Sequence, residues 1–280
     1  MYGNPIAQRR HHRDHIKTGH RHTMRDLTVS LVQTTLQWES PADNRQHFEK
    51  LLLNHTETTD LFVLPEMFTT GFSMNALANA EPVGGETYRW MQQLASELDT
   101  AIAGSVAIEV DGQVFNRMLF ASPQGITHYD KRHLFRMAGE HKRYVQGDER
   151  VIVEWRDWRI KLEICYDLRF PVFSRNREDY DLLLYVANWP GKRASHWRAL
   201  LPARAIENLA CVVGVNRIGA DAKGWEYKGD SLAIDAQGNI QLDMANHEGI
   251  QSTVFSAKAL LAWREQFPAN LDSDGFELNL

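Results

Sequence analysis

The chain has 280 residues, 43% of them apolar and 24% charged, a globular composition long enough to bury the core of one large domain or two small ones. Its 31 basic and 36 acidic side chains give a formal net charge of −5, and residues 1–23 hold five Lys or Arg against one Asp, so the remainder is more acidic still, against the pattern of a general nucleic-acid binder. No stretch approaches the ~20 apolar residues of a membrane span, the N-terminus lacks the apolar segment of a secretory signal, and Cys165 and Cys211 have neither the number for a disulfide scaffold nor the C-x-x-C spacing of a zinc or redox motif. The expected address is the cytoplasm, with no membrane and no nucleic acid as partner.

Residues 1–23 read as an arm or extension outside the fold. They have too few apolar residues to offset the entropy of ordering, so disorder is the expectation despite five histidines that suggest metal and arginines that suggest phosphate. Residues 24–280 read as one domain.

LTVSLVQ predicts a first strand. A helix over 41–58 follows, with Ser40 as N-cap, Pro41 in the first turn, and Phe48, Leu51 and Leu52 on one face. LFVLP reads as a short buried strand, and residues 87–98 as a helix with Trp90, Met91 and Leu94 at helical spacing. AIAGSVAIEV, QVFNRMLFAS and GITHYDK follow as strands, turned at Asp111-Gly112 and Gln124-Gly125. Further strands are RVIVEW, WRIKLEIC, LLLYVAN, ACVVGVN, DSLAIDAQGNI and QSTVFS, with helices over 194–209 and 257–266. Wholly apolar LFVLP and LLLYVAN suit strands covered on both faces, whereas the alternating segments suit outer strands. Two sheets face to face with helices outside accommodate both.

Three residues stand just past strand-like segments: Glu66 in VLPEMF, Lys131 in YDKRHLF and Cys165 in EICYDLRFP. Amide hydrolysis by covalent catalysis needs a nucleophile, a base that can later protonate the leaving amine, and donors for the tetrahedral oxyanion. A thiol is mostly protonated at neutral pH, so Glu66 can take its proton while a protonated Lys131 stabilises first the thiolate and then the oxyanion. The Tyr166 amide is a second oxyanion donor. Taken singly, each residue has a plainer reading: a cysteine at a strand end is more often a small buried hydrophobe, and the acid and amine more often solvated. Their joint occurrence in this order makes the case. Cys211, inside ACVVGVN with no acid or base beside it, reads as core.

LPEMF, YDKRHLF and CYDLRFP resemble the three motif centres of the nitrilase superfamily, and the likeness runs from about Leu27 to Phe267. The resemblance implies an α/β fold, a four-layer αββα sandwich of two mixed sheets flanked by helices, with Glu66 as base, Lys131 as electrostatic partner and Cys165 as the nucleophile that forms a thioester. It also implies a second buried glutamate, to which Glu140 in MAGEHKRY is similar, and a homodimer; with no Gly-rich phosphate loop, dinucleotide fingerprint or metal-ligand spacing in the folded part, no cofactor is expected. Within the superfamily, LPEMFTTGFSM, DKRHLFRMAGEH, CYDLRFPVFSRN and LYVANWP look most like the bacterial omega-amidase branch, which hydrolyses 2-oxoglutaramate to 2-oxoglutarate and ammonia. Other linear amides, nitriles or N-carbamoyl amino acids are the alternative substrates, and a non-catalytic binding module the alternative role. A substrate carboxylate needs cationic partners, for which Arg136, His133 and Arg193 are candidates. Arg169 reads equally as a structural partner of Asp167. Phe72, Phe173 and Trp189 are expected as apolar walls. His196 and Trp197 read as packing residues, and Asn216-Arg217 and Gly229-Asp230 as shaping nearby loops.

Overall fold

A computed structural model describes residues 24–280; the arm and its metal and phosphate readings lie outside the described residues. In chain order the elements are β1 (Leu27–Gln33), α1 (Pro41–Leu53), β2 (Leu61–Val63), α2 (Ala76–Asn79), β3 (Glu81–Pro82), α3 (Glu86–Glu97), β4 (Ala101–Val110), β5 (Gln113–Ser122) and β6 (Gly125–Asp130). The second half comprises β7 (Ile152–Trp155), β8 (Trp158–Ile164), α4 (Pro171–Ser174), β9 (Leu182–Ala187), α5 (Ala194–Asn208) and β10 (Cys211–Asn216). It closes with β11 (Ile218–Ala220), β12 (Glu226–Lys228), β13 (Leu232–Ile234), β14 (Ile240–Asp243), β15 (Gly249–Phe255) and α6 (Ala257–Gln266).

Two mixed sheets result. One runs β15-β1-β2-β4-β5-β6, with β3 beside β4, and the other β14-β13-β10-β9-β8-β7. The centre of each is parallel, β1 with β2 and β4 in the first and β8 with β9 and β10 in the second. The two-residue period of a strand then sorts the side chains. Leu27, Val29, Leu31, Leu61, Val63, Ala101 and Ala103 join the core shared with Trp158, Ile160, Leu162 and Ile164 of β8. Their neighbours Val32, Phe62, Leu64 and Ile102 face the other way, onto Phe48 and Leu52 of α1 and Met91 and Leu94 of α3. On the second sheet α5 packs so closely on β10 that a Cβ at Gly214 would meet Leu201 Cδ1 at 2.6 Å and Trp197 Cζ2 at 2.8 Å. The order is helix, sheet, sheet, helix, the sandwich that the motifs imply.

Some elements differ from expectation. The first helix ends at Leu53 rather than residue 58, because HTETTD offers weak helix formers and His55 turns to set its ring edge-on against Phe62, with centroids 5.5 Å apart. Ser40 makes no side-chain cap; its hydroxyl donates to Asp43 at 2.5 Å. DSLAIDAQGNI is a hairpin, not one strand, since Asp235 Oδ1 accepts from the amides of Gln237 and Asn239, both at 2.9 Å, and folds the chain back. The β11–β12 hairpin was not anticipated. Among the described residues no helix is long and apolar enough to cross a membrane.

Candidate active site

Parallel strands that end at one edge deliver their following residues to a common place. Glu66 follows β2, Cys165 follows β8 and Asn188 follows β9, while Lys131 follows the antiparallel β6. Two of these turns use backbone that side-chain-bearing residues seldom adopt: Cys165 has φ +44° and Met67, directly after Glu66, has φ +48°. Such conformations cost about 1–3 kcal/mol each and persist where the surroundings hold them, here to swing a side chain out of the strand direction. Asn116 on β5 lies opposite Lys131, whose amide donates to the Asn116 carbonyl at 2.9 Å, so both side chains share a face.

The resulting cluster is closed to solvent. Lys131 Nζ donates to Glu66 Oε1 at 2.8 Å and to Glu140 Oε1 and Oε2 at 3.1 and 3.0 Å, and all three side chains are fully buried. Asn116 Nδ2 bridges the same two carboxylates at 2.8 and 3.1 Å. Glu66 Oε2 accepts from the Asn188 amide at 2.8 Å, and Glu140 Oε2 from the Phe135 amide at 2.6 Å. Burial works against the Lys131 charge, but Glu140 and Glu66 outweigh it and hold the ammonium well above its ordinary range. Lys131 is therefore a fixed cation across the physiological range. Burial raises the Glu140 carboxyl, with Lys131 opposing and Glu66 reinforcing. Burial also pushes the Cys165 thiol far up, and the Glu66 charge adds to it despite Lys131. The resting thiol is protonated and lies beside the Glu66 side chain.

Above this cluster opens a cavity of about 220 Å³. Lys131, Cys165 and Asn188 form its floor, with Phe72, Tyr166, Trp189, Trp225 and Tyr227 as aromatic walls and Arg169, Arg193, Lys223 and Asp221 as charged ones. It is smaller than the roughly 300–1,000 Å³ of drug-sized ligand sites and suits a small acyl compound. The carbon-nitrogen hydrolase family profile matches residues 28–264. The chain belongs to that family. This hydrolase is 50% identical over 257 residues to an omega-amidase of Yersinia enterocolitica, covering 91% of the chain and 100% of the relative. It is 32% identical over 247 residues to a 2-oxoglutaramate amidase of Bacillus subtilis, covering 86% and 95%. A CN-hydrolase superfamily protein of Xanthomonas campestris, whose crystal structure has an arsenic adduct in the active site, superposes with a TM-score of 0.89 at 48% identity, covering 91% of this chain and 100% of that one.

The hydrolase distributes the expected site residues unevenly. Glu66, Lys131, Cys165 and Glu140 converge, and Tyr166, Phe72, Trp189 and Arg193 line the cavity, with Lys131 Nζ 5.2 Å from the Phe72 ring centroid. His133 is not among the residues that line the cavity: its Nδ1 and its amide both bond Asp167 Oδ1, at 2.7 and 2.9 Å, and its ring stacks on Phe170 at 3.8 Å. Arg136 sits exposed in a 3₁₀ turn outside the cavity wall. Phe173 is core, covering the buried Lys161 ammonium at 4.2 Å. Arg169 is not the partner of Asp167; it lies over Trp189 at 5.0 Å and bonds His196 at 2.7 Å. Trp197 is fully buried and donates to the Asp230 carbonyl, whereas His196 is exposed.

Sequence reasoning missed Asn116, Asn188 and the full reach of Asp167. An asparagine inside the apolar run QVFNRMLFAS was the available signal, since a buried amide must find partners. Asp167 joins the Cys165 turn to the Lys131 loop: its Oδ2 accepts from the Ile164 amide at 2.9 Å and the Tyr129 hydroxyl at 2.7 Å, beside the two His133 bonds. Asp167→Asn keeps the shape but turns an NH2 group toward donors. A loss of about 2–3 kcal/mol is expected, read as a lowered midpoint in urea, together with weaker activity. An unchanged midpoint would show that the link is dispensable.

Proposed function

We propose that this hydrolase is an omega-amidase that converts 2-oxoglutaramate to 2-oxoglutarate and ammonia through a thioester on Cys165. The observation that carries this reading is the pairing, in one small cavity, of the Cys165–Lys131–Glu66 cluster with two arginines that lack a carboxylate. Among the described residues neither Arg169 nor Arg193 forms an ion pair, and Arg193 Nη2 is buried without a hydrogen-bond partner. The Arg193 guanidinium stands 5.2 Å from the Phe135 ring and 5.8 Å from Trp225, which holds it over the cavity. A substrate with a carboxamide at one end and a carboxylate at the other would satisfy both regions. The relatives that bear omega-amidase and 2-oxoglutaramate amidase names support the same substrate.

In this reading Cys165 Sγ attacks the carboxamide carbon as its proton passes to Glu66. Lys131 and the Tyr166 amide stabilise the oxyanion, the C–N bond breaks, and Glu66 returns the proton to the departing ammonia. Water then gives a proton to Glu66 and attacks the thioester carbon; the C–S bond breaks and the thiolate takes the proton back. Glu140 keeps Lys131 in place and charged. A cytoplasmic homodimer belongs to the same proposal, on the strength of the family likeness.

Ammonia release from 2-oxoglutaramate in the presence of EDTA tests the reading against an N-carbamoyl amino acid and an aliphatic nitrile. Preference for either of the latter would replace the substrate while keeping the cysteine chemistry. Arg193→Met is expected to lower kcat/KM for 2-oxoglutaramate about 10- to 100-fold, mostly through KM, because a charge-assisted hydrogen bond is worth about 1.5–3 kcal/mol. A neutral amide of equal length should be affected far less; an equal loss on both would remove Arg193 from carboxylate binding.

A further inference from the structure

Asp221 stands in the cavity wall with Arg169, Arg193 and Lys223, where an acid works against the binding of an anion. Its oxygens are already engaged. Oδ1 accepts from the amides of Lys223 at 2.9 Å and Trp225 at 3.0 Å, and Oδ2 from the Tyr227 hydroxyl at 3.0 Å. The Asp221 amide donates to the Trp225 carbonyl at 3.0 Å, and its carbonyl accepts from the amide of Gly224, whose φ of +78° lets the chain reverse. One residue thus ties together the tip between β11 and β12.

The same hairpin bears on Arg193. β12 packs so closely on the turn Gly191–Arg193 that a Cβ at Gly191 would lie 3.2 Å from the Glu226 carbonyl oxygen and 3.0 Å from Lys228 Cγ. The Arg193 guanidinium stands 5.2 Å from the Phe135 ring and 5.8 Å from that of Trp225, and its Nη2 has no hydrogen-bond partner among the described residues. Its placement therefore depends on where these rings stand. Phe135 is held by its own amide bond to Glu140 Oε2 at 2.6 Å, whereas the amide and the carbonyl of Trp225 are both held by Asp221.

We infer that Asp221 is a positioning residue for substrate binding: it folds the hairpin tip that sets Trp225 beside Arg193, and so fixes the cation that receives the substrate carboxylate. The inference rests on the omega-amidase reading and deepens it. The role is geometric, not electrostatic. An asparagine offers Oδ1 to the same two amides, and the Tyr227 hydroxyl can reverse to accept from its NH2 group.

Steady-state kinetics on 2-oxoglutaramate and on pentanamide, a neutral amide of equal length, tests this in the parent, Asp221→Ala and Asp221→Asn, each with and without Arg193→Met. Asp221→Ala is expected to raise KM for 2-oxoglutaramate about tenfold with kcat within a factor of about two, and to affect pentanamide far less. Asp221→Asn should recover most of that loss, and Asp221→Ala should add no further loss once Arg193→Met is present. A KM that falls in both Asp221 variants would overturn the inference, making Asp221 a charge that repels the substrate. Equal losses on the two amides, or a full additional loss on top of Arg193→Met, would overturn it as well and leave Asp221 a support of the fold at large. A parent that gains nothing from the substrate carboxylate would instead sink the substrate reading, and this inference with it.

Discussion

Cys165→Ala is expected to give a folded protein whose ammonia release falls by at least about four orders of magnitude, because in the proposed mechanism the substitution takes away the thioester itself. The substitution costs the fold little. Cys165 is 9% exposed at the cavity floor, and its φ of +44° is held by the turn that Asp167 closes. The other thiol cannot substitute, since Cys211 lies within β10, buried among core residues and not among those that line the cavity. Turnover by the variant, with its thermal midpoint unchanged, would show that the nucleophile lies elsewhere.

Glu66→Gln is the second large effect, with kcat/KM expected to fall about 10³-fold or more, because in the proposed mechanism Glu66 shuttles the proton in both half-reactions. The substitution keeps the shape of the side chain but not its acceptors. Oε1 faces two donors, Lys131 Nζ and Asn116 Nδ2, and Oε2 faces the Asn188 amide, so the new NH2 group must confront a donor whichever way it turns. It also strips the Lys131 ammonium of one of the two carboxylates that keep it charged in a buried place. Single-turnover kinetics separates the steps: acylation and deacylation should both slow. A variant impaired only in deacylation would confine Glu66 to activating water and move thiol deprotonation to another group.

The strands that carry these residues were legible because apolar runs such as LFVLP and LLLYVAN have a two-residue period or none, and covered strands need little else. Boundaries were less legible where side chains compete with the backbone, as at Asp235, whose carboxylate folds one predicted strand into the β13–β14 hairpin. Glu66, Lys131 and Cys165 could be singled out from their own flanking residues, since each ends a strand-like run. Arg136, His133 and Phe173 stand in equally suggestive sequence but face elsewhere, a matter of the turn over 132–140 and the α4 segment rather than of residue type.

Local sequence therefore specified the strands and the residue types that end them, because propensity and periodicity act over a few neighbours. Which of those residues share a cavity was decided by tertiary structure. Asn116 meets Glu66 across 50 residues and Asn188 meets it across 122, and no local pattern encodes such a meeting. The same holds for electrostatics: the Lys131 charge and the protonated Cys165 thiol are set as they are only because the two sheets close over them and remove the water that would otherwise satisfy each one.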